Sequence, residues 1–215
     1  MSPLRAPLLP LLTLTGCLSG CSGLFHSSAS PVQLYVLQSP ATGSAPAAPA
    51  GATASVRIAR PLSAAGLNTD RIALLRSGGR LDYYAGSRWS AALAEVVSDL
   101  ELAAFRADPA ISAVADDRTG LNAGYLLQTS IDRFAAEYAT DAGPPLIRVD
   151  LHCLLIRRSD GVLLGSFAVS ENESAQANRM TSVVAAFSAA AGRAVSSVAA
   201  RSDELLRSAR SPAAP

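Results

Sequence analysis

The chemistry open to a chain starts with its nucleophiles, acids and metal ligands, and here they are few. Among 215 residues there are two His and three Cys, and every basic residue is Arg. Without Lys there is no Walker-type phosphate loop and no Schiff-base mechanism. His152 falls in phase with Arg148 and Asp150 on the polar side of an extended segment. No Gly-x-Ser-x-Gly elbow accompanies it, so a hydrolase triad is not expected. Cys153 alternates with Val149, Leu151 and Leu155, which makes it a buried, inert thiol. Asp116-Asp117 and Glu171/Glu173 are acidic pairs without the further ligands an ion site needs. The sequence therefore predicts no enzyme, cofactor or metal site. A net charge of +1 with 16% charged residues likewise offers no basic field for nucleic acid.

The other two cysteines carry a different chemistry. Arg5 precedes a short apolar run, Leu8 to Leu14, too short to span a bilayer and of the length of a secretory core. Leu18-Ser19-Gly20-Cys21 follows, with a near copy in Leu14-Thr15-Gly16-Cys17. Both resemble the lipobox of bacterial lipoproteins, which implies cleavage before the Cys and acylation, palmitate included, of the new N-terminus. Cys21 is favoured over Cys17 because Ser22-Gly23 and a small, polar stretch to Ser30 follow it. The competing readings are a plain secretory signal with incidental cysteines and a disulfide scaffold. Cleavage at Cys21 would leave Cys153 as the only other thiol. The three acyl chains of such an anchor bury dozens of methylenes at about 0.8 kcal/mol each, so the hold would be effectively permanent. Ser22, rather than Asp, follows the Cys, and by the sorting pattern of the Gram-negative lipoproteins this box resembles, that implies the periplasmic leaflet of the outer membrane. Residues 1–20 are thus read as signal peptide and 21–31 as a tether, whose reach is at most roughly 35 Å.

These features have to be carried by a fold, and the hydrophobic pattern predicts its elements. Val32 to Leu37 reads as a strand. Residues 39–54 are almost all Ala, Pro, Gly, Ser and Thr, a flexible insert with little to bury. Val56 to Arg60 alternates as a strand up to Pro61. Arg71–Arg76 and Arg80–Tyr84 flank Gly78-Gly79 as a hairpin. From Trp89 the apolar residues recur at helical spacing through Ala104, so a helix of about five turns is expected, capped by Ser87 and stopped by Pro109. Between Tyr125 and Ser174 the period returns to two, in three long segments joined by turns, an antiparallel meander taken as the central sheet. Met180 to Val198 is helical again, and 208–215 reads as a disordered tail. The resulting fold class is α/β, a central, mostly antiparallel sheet packed by two long helices over residues 32–207. With aromatics at 5%, an aliphatic core is expected.

Read in order, these elements resemble the ABC-type transport auxiliary lipoprotein family, which includes the lipoprotein of the paraquat-inducible lipid-transport system. The resemblance rests on the lipobox, Leu34-Tyr35-Val36-Leu37, Leu67-Asn68-Thr69-Asp70-Arg71-Ile72, Leu81-Asp82-Tyr83-Tyr84, and Arg88-Trp89 followed by Leu93 and Val97. Tyr125-Leu126-Leu127, Ile131 to Phe134, the Ser159-Asp160-Gly161 turn and the C-terminal helix complete it. The chain departs from the family in keeping only Pro61 of a Pro-rich stretch, and in reading Arg-Trp-Ser-Ala where Arg-Trp-Ala-Glu is commoner. The resemblance implies an α/β sandwich anchored in the outer membrane. Its implied partners are a mammalian-cell-entry-type barrel protein, an inner-membrane permease and an ATPase.

The function this predicts is a non-enzymatic docking lipoprotein at the outer-membrane end of a periplasmic lipid conduit. Its candidate contact residues are Tyr84, Arg88, Trp89 and Leu154. Trp89 has two readings, anchor of the core or part of a binding surface. Leu154 and Ile156 share the outward side of their strand with Arg148, Asp150 and His152, a mixed face that suits an interface unless the second helix covers it. A lipid-binding carrier and an assembly lipoprotein for an outer-membrane protein are the alternatives, and self-association is open.

Overall fold

The computed structural model describes residues 31–38, 54–140 and 142–210. Cys17, Cys21, the signal and most of the tether lie outside these residues, as do 39–53 of the insert and 211–215 of the tail.

Among the described residues, nine strands form one sheet built around the longest of them. In chain order they are β1 (Gln33–Tyr35), β2 (Ala54–Ile58), β3 (Leu62–Ser63), β4 (Arg71–Arg76), β5 (Arg80–Trp89), β6 (Ile111–Asp116), β7 (Tyr125–Glu137), β8 (Leu146–Arg157) and β9 (Leu163–Ser174). Helix α1 spans Leu93–Arg106 and α2 spans Met180–Arg210. One edge of β7 is shared in turn by β2, β3 and β4, all parallel to it; its other edge carries β8, antiparallel to it, and β9 follows antiparallel to β8. Strand β6 extends the sheet beyond β2, while β5 and then β1 extend it beyond β4.

The sheet is therefore mixed rather than mostly antiparallel. The expected meander is present as β7–β8–β9 and forms the longest ladders, but five of the eight strand pairings are parallel. Two parallel partners carry weak sequence signals. Strand β6, Ile-Ser-Ala-Val-Ala-Asp, is too small-sided to show a period, and β3 has only two residues. Parallel pairing also joins segments distant in sequence, which local alternation cannot reveal.

Both helices pack on one face. Strand β8 shows the division most plainly: Ile147, Val149, Leu151, Cys153 and Leu155 are buried beneath the helices, and the residues between them face the other way, half-buried. Helix α2 is long and apolar enough to cross a membrane by composition, yet its apolar stripe from Val183 to Leu206 is spent on this core. At Gly165 of β9 a Cβ would lie 2.6 Å from Leu205 of α2, so the strand approaches the helix as closely as glycine allows. Residues Ser208 to Arg210, expected in the tail, continue α2.

The core is mostly aliphatic but has an aromatic centre. Trp89 stands edge-on to Phe134 and Phe187 with ring centroids 6.1 and 5.2 Å away, and the two Phe rings stack at 5.2 Å. These three residues bind β5, β7 and α2 together.

Candidate docking surface

The residues singled out for a partner surface fall in quite different environments. Trp89 is 2% exposed, so it is a core anchor. It also ends β5 instead of opening the helix. Its N–H donates to the carbonyl of Asp70 at 2.7 Å, and Ser90 N–H donates to the Tyr35 carbonyl at 2.9 Å. Pairing of Gln33–Tyr35 with Ser87–Trp89 holds this stretch extended, against its local helical spacing. Ser87 is consequently buried in the strand, and Ala92 occupies the N-cap position. Leu93 N–H, left over at the helix start, donates to the Thr69 carbonyl at 3.0 Å.

Tyr84 is half-buried, and its hydroxyl lies 2.8 Å from that of Tyr138. Burial, reinforced by that hydroxyl, drives its pKa well above the usual phenol value. Arg88 stays on the surface but is held by both carboxylate oxygens of Asp70, at 2.8 and 3.0 Å. Nη1 alone donates to both oxygens, and this charge-assisted contact ties the guanidinium to the loop that leads into β4. The sequence placed Arg88, Tyr84 and Trp89 together; the structure leaves only Arg88 of these well exposed.

Leu154 lies elsewhere, on the side of the sheet away from both helices. Its row reads Gln128, Leu154, Ser166 across β7, β8 and β9, and the next row reads Leu126, Ile156, Leu163. Leu62 of β3, in register with Ser130, adds to this side and is 68% exposed. No described element covers the group. The second helix, which could have covered it, packs on the opposite face. Toward the other end of β8 the same side is polar and internally paired. Arg133 lies 2.8 Å from Glu137 and 3.4 Å from Asp150, and Arg148 approaches Glu137 at 2.8 Å as an ion pair without hydrogen-bond alignment. Those charges neutralise one another, so the unsatisfied part of the face is apolar. His152 bridges the two parts, with Nε2 2.9 Å from Ser166 Oγ.

Other groups with chemical potential are accounted for locally. Burial pushes the Cys153 thiol up to about 12, an unreactive state. Asp116 accepts from the Thr119 hydroxyl at 2.6 Å and from Arg118 Nε at 2.7 Å, which hold it down at about 2. These bonds fold the turn after β6 beside a cleft of about 320 Å³ in which Arg60 pairs with Glu95. Among the described residues no group of His, Cys, Asp and Glu is arranged to hold a metal.

Residues 35–199 match the family model of the ABC-type transport auxiliary lipoprotein component. The fold is similar to that of protein XCC0632 from Xanthomonas campestris, with a TM-score of 0.74 at 21% identity, over 84% of this chain and 99% of that one. The hypothetical protein CT253 from Chlamydia trachomatis is also similar, with a TM-score of 0.53 at 7% identity, over 72% of this chain and 98% of that one. The comparison with curated proteins returned no match. At these identities the structural likenesses establish the architecture alone.

Proposed function

We propose, from the premise that this chain belongs to the family of ABC-type transport auxiliary lipoprotein components, that it is a non-enzymatic docking subunit. In this reading it is acylated at Cys21, with Cys17 as the alternative, and sits on the periplasmic face of the outer membrane. There it receives the end of a conduit formed by a mammalian-cell-entry-type barrel protein with its permease and ATPase. The observation that carries the reading is the uncovered apolar group of Leu62, Leu126, Leu154, Ile156 and Leu163 on the sheet side opposite the helices. An apolar centre beside a rim of internally paired charges has the anatomy of a protein interface. Arg88, exposed on β5 beside Leu34 and held by Asp70, is retained as a contact residue outside this group. Trp89 is not, being enclosed, and Tyr84 contributes through its contact with Tyr138.

Carriage of a lipid between helices and sheet is the weaker reading. That layer is filled by Trp89, Phe134, Phe187, Leu127, Ile131 and Leu155, all essentially inaccessible. A photo-activated crosslinker at position 154 in living cells tests the docking role. An adduct with the barrel protein is the expected result. Adducts only with an outer-membrane protein under assembly, or none at all, would remove the support for docking.

A further inference from the structure

A second uncovered apolar feature lies at the opposite end of the sheet. Val32, Leu34 and Val36 alternate along β1 and its flanks and are 51%, 65% and 65% exposed, while Tyr35 and Leu37, each next to Val36, turn to the core. This is the reverse of a solvated edge strand, whose outward positions are normally polar. The row through Leu34 continues to Arg88 of β5 and Arg71 of β4. The Arg71 guanidinium lies 3.8 Å from the centroid of the Tyr83 ring, and among the described residues it has no acidic partner. Aliphatic side chains backed by Tyr and an uncompensated Arg form the composition that favours a bilayer interface, where the ring sits at headgroup depth and the cation meets lipid phosphate.

Position in the chain makes the same selection. Val32 is the eleventh residue after Cys21, so the stripe begins within about 37 Å of contour length from an acyl chain attached there. The other exposed apolar side chains, Leu62, Leu81, Leu121, Val162 and Leu163, all lie much further along the chain. We infer that the stripe Val32, Leu34, Val36, with Arg71 and Tyr83 behind it, rests against the lipid headgroups of the membrane that holds the anchor. The occupant is a lipid surface, and the inference rests on acylation of Cys21. It gives the domain a defined orientation, with the β1 edge toward the membrane and the Leu154 group, at the far side of β7, left free for a partner.

The test uses the full acylated chain with Leu34→Cys. Cys153 is buried, so a nitrobenzoxadiazole maleimide reports from position 34 alone. In vesicles of phosphatidylethanolamine and phosphatidylglycerol, the expected result is blue-shifted emission and several-fold quenching by headgroup-region spin-labelled lipid. A label at Ser166→Cys on β9 should show neither effect, and Arg71→Glu should reduce the quenching at 34. If the protein floats with the vesicles but label 34 stays unshifted and unquenched, the orientation is overturned while the anchor stands. A blue shift without lipid quenching, accompanied by energy transfer between labelled copies, would assign the stripe to a second copy and overturn the lipid surface. Failure to float would remove the anchor and, with it, this inference.

Discussion

Glu101 is the residue whose chemistry is most at odds with its surroundings. It lies on α1, fully buried, with Oε1 accepting from the Thr129 hydroxyl at 2.7 Å and Oε2 without a partner. Burial pushes its carboxyl up to about 8, and the Thr129 bond only partly opposes this. Thr129 also lies 3.7 Å from Cys153 Sγ, itself neutral, so the pair that faces the carboxyl from β7 and β8 brings no charge to it. A folded-state pKa above the unfolded value of 4.5 means that the native chain holds a proton which the unfolded chain has released. Its contribution to stability is whole below pH 4.5 and is lost as pH rises through about 8. Melting temperature should therefore fall across that interval, on the order of a few kcal/mol in stability. Glu101→Gln, a neutral isostere, should flatten the fall. A parallel decline in both proteins would assign the pH dependence to other groups. Nothing in the sequence marked this residue, because helical spacing put its neighbours Leu100 and Ala104 on the buried stripe and the stripe is wider than that pattern implied.

At the scale of elements, β5 shows how a local pattern is overridden. Trp89, Leu93 and Val97 recur at helical spacing, yet Trp89 is the last residue of a strand and the helix opens only at Leu93. The ladder to β1 and the bond from Trp89 N–H to Asp70 decide the matter, and both partners are remote in sequence. Gly86, with φ of 64°, allows the strand to bend before this pairing begins. The long segments β7, β8, β9 and α2 were legible because their periods persist for three or more turns or alternations. Strands β3 and β6 were not, since what specifies them is a parallel neighbour. Trp89→Ala opens space at the junction of β5, β7 and α2 and should destabilise the chain by about 3–5 kcal/mol in a denaturant titration. An unchanged midpoint would mean that the aromatic trio does not hold these elements together.

For the whole molecule, the two uncovered apolar groups stand at opposite reaches of one sheet, and this separation gives the protein its character. The proposed acylation rests on the lipobox alone, since Cys17 and Cys21 lie outside the described residues. Leu154 was legible as an outward position from alternation alone. The polar half of its face, self-paired through Arg133, Glu137, Arg148 and Asp150, was not, because those ion pairs cross from β7 to β8. Membership of the auxiliary lipoprotein family, a packed interior and the limited reach of the proposed tether all suit a chain that acts by contact. Leu154→Arg tests this most directly, since a half-buried outward position can take a charge without entering the core. The variant should fold, carry its acyl groups and keep the wild-type melting temperature, yet lose co-isolation with the barrel protein from detergent-solubilised membranes. Co-isolation at the wild-type level would contradict docking through this face.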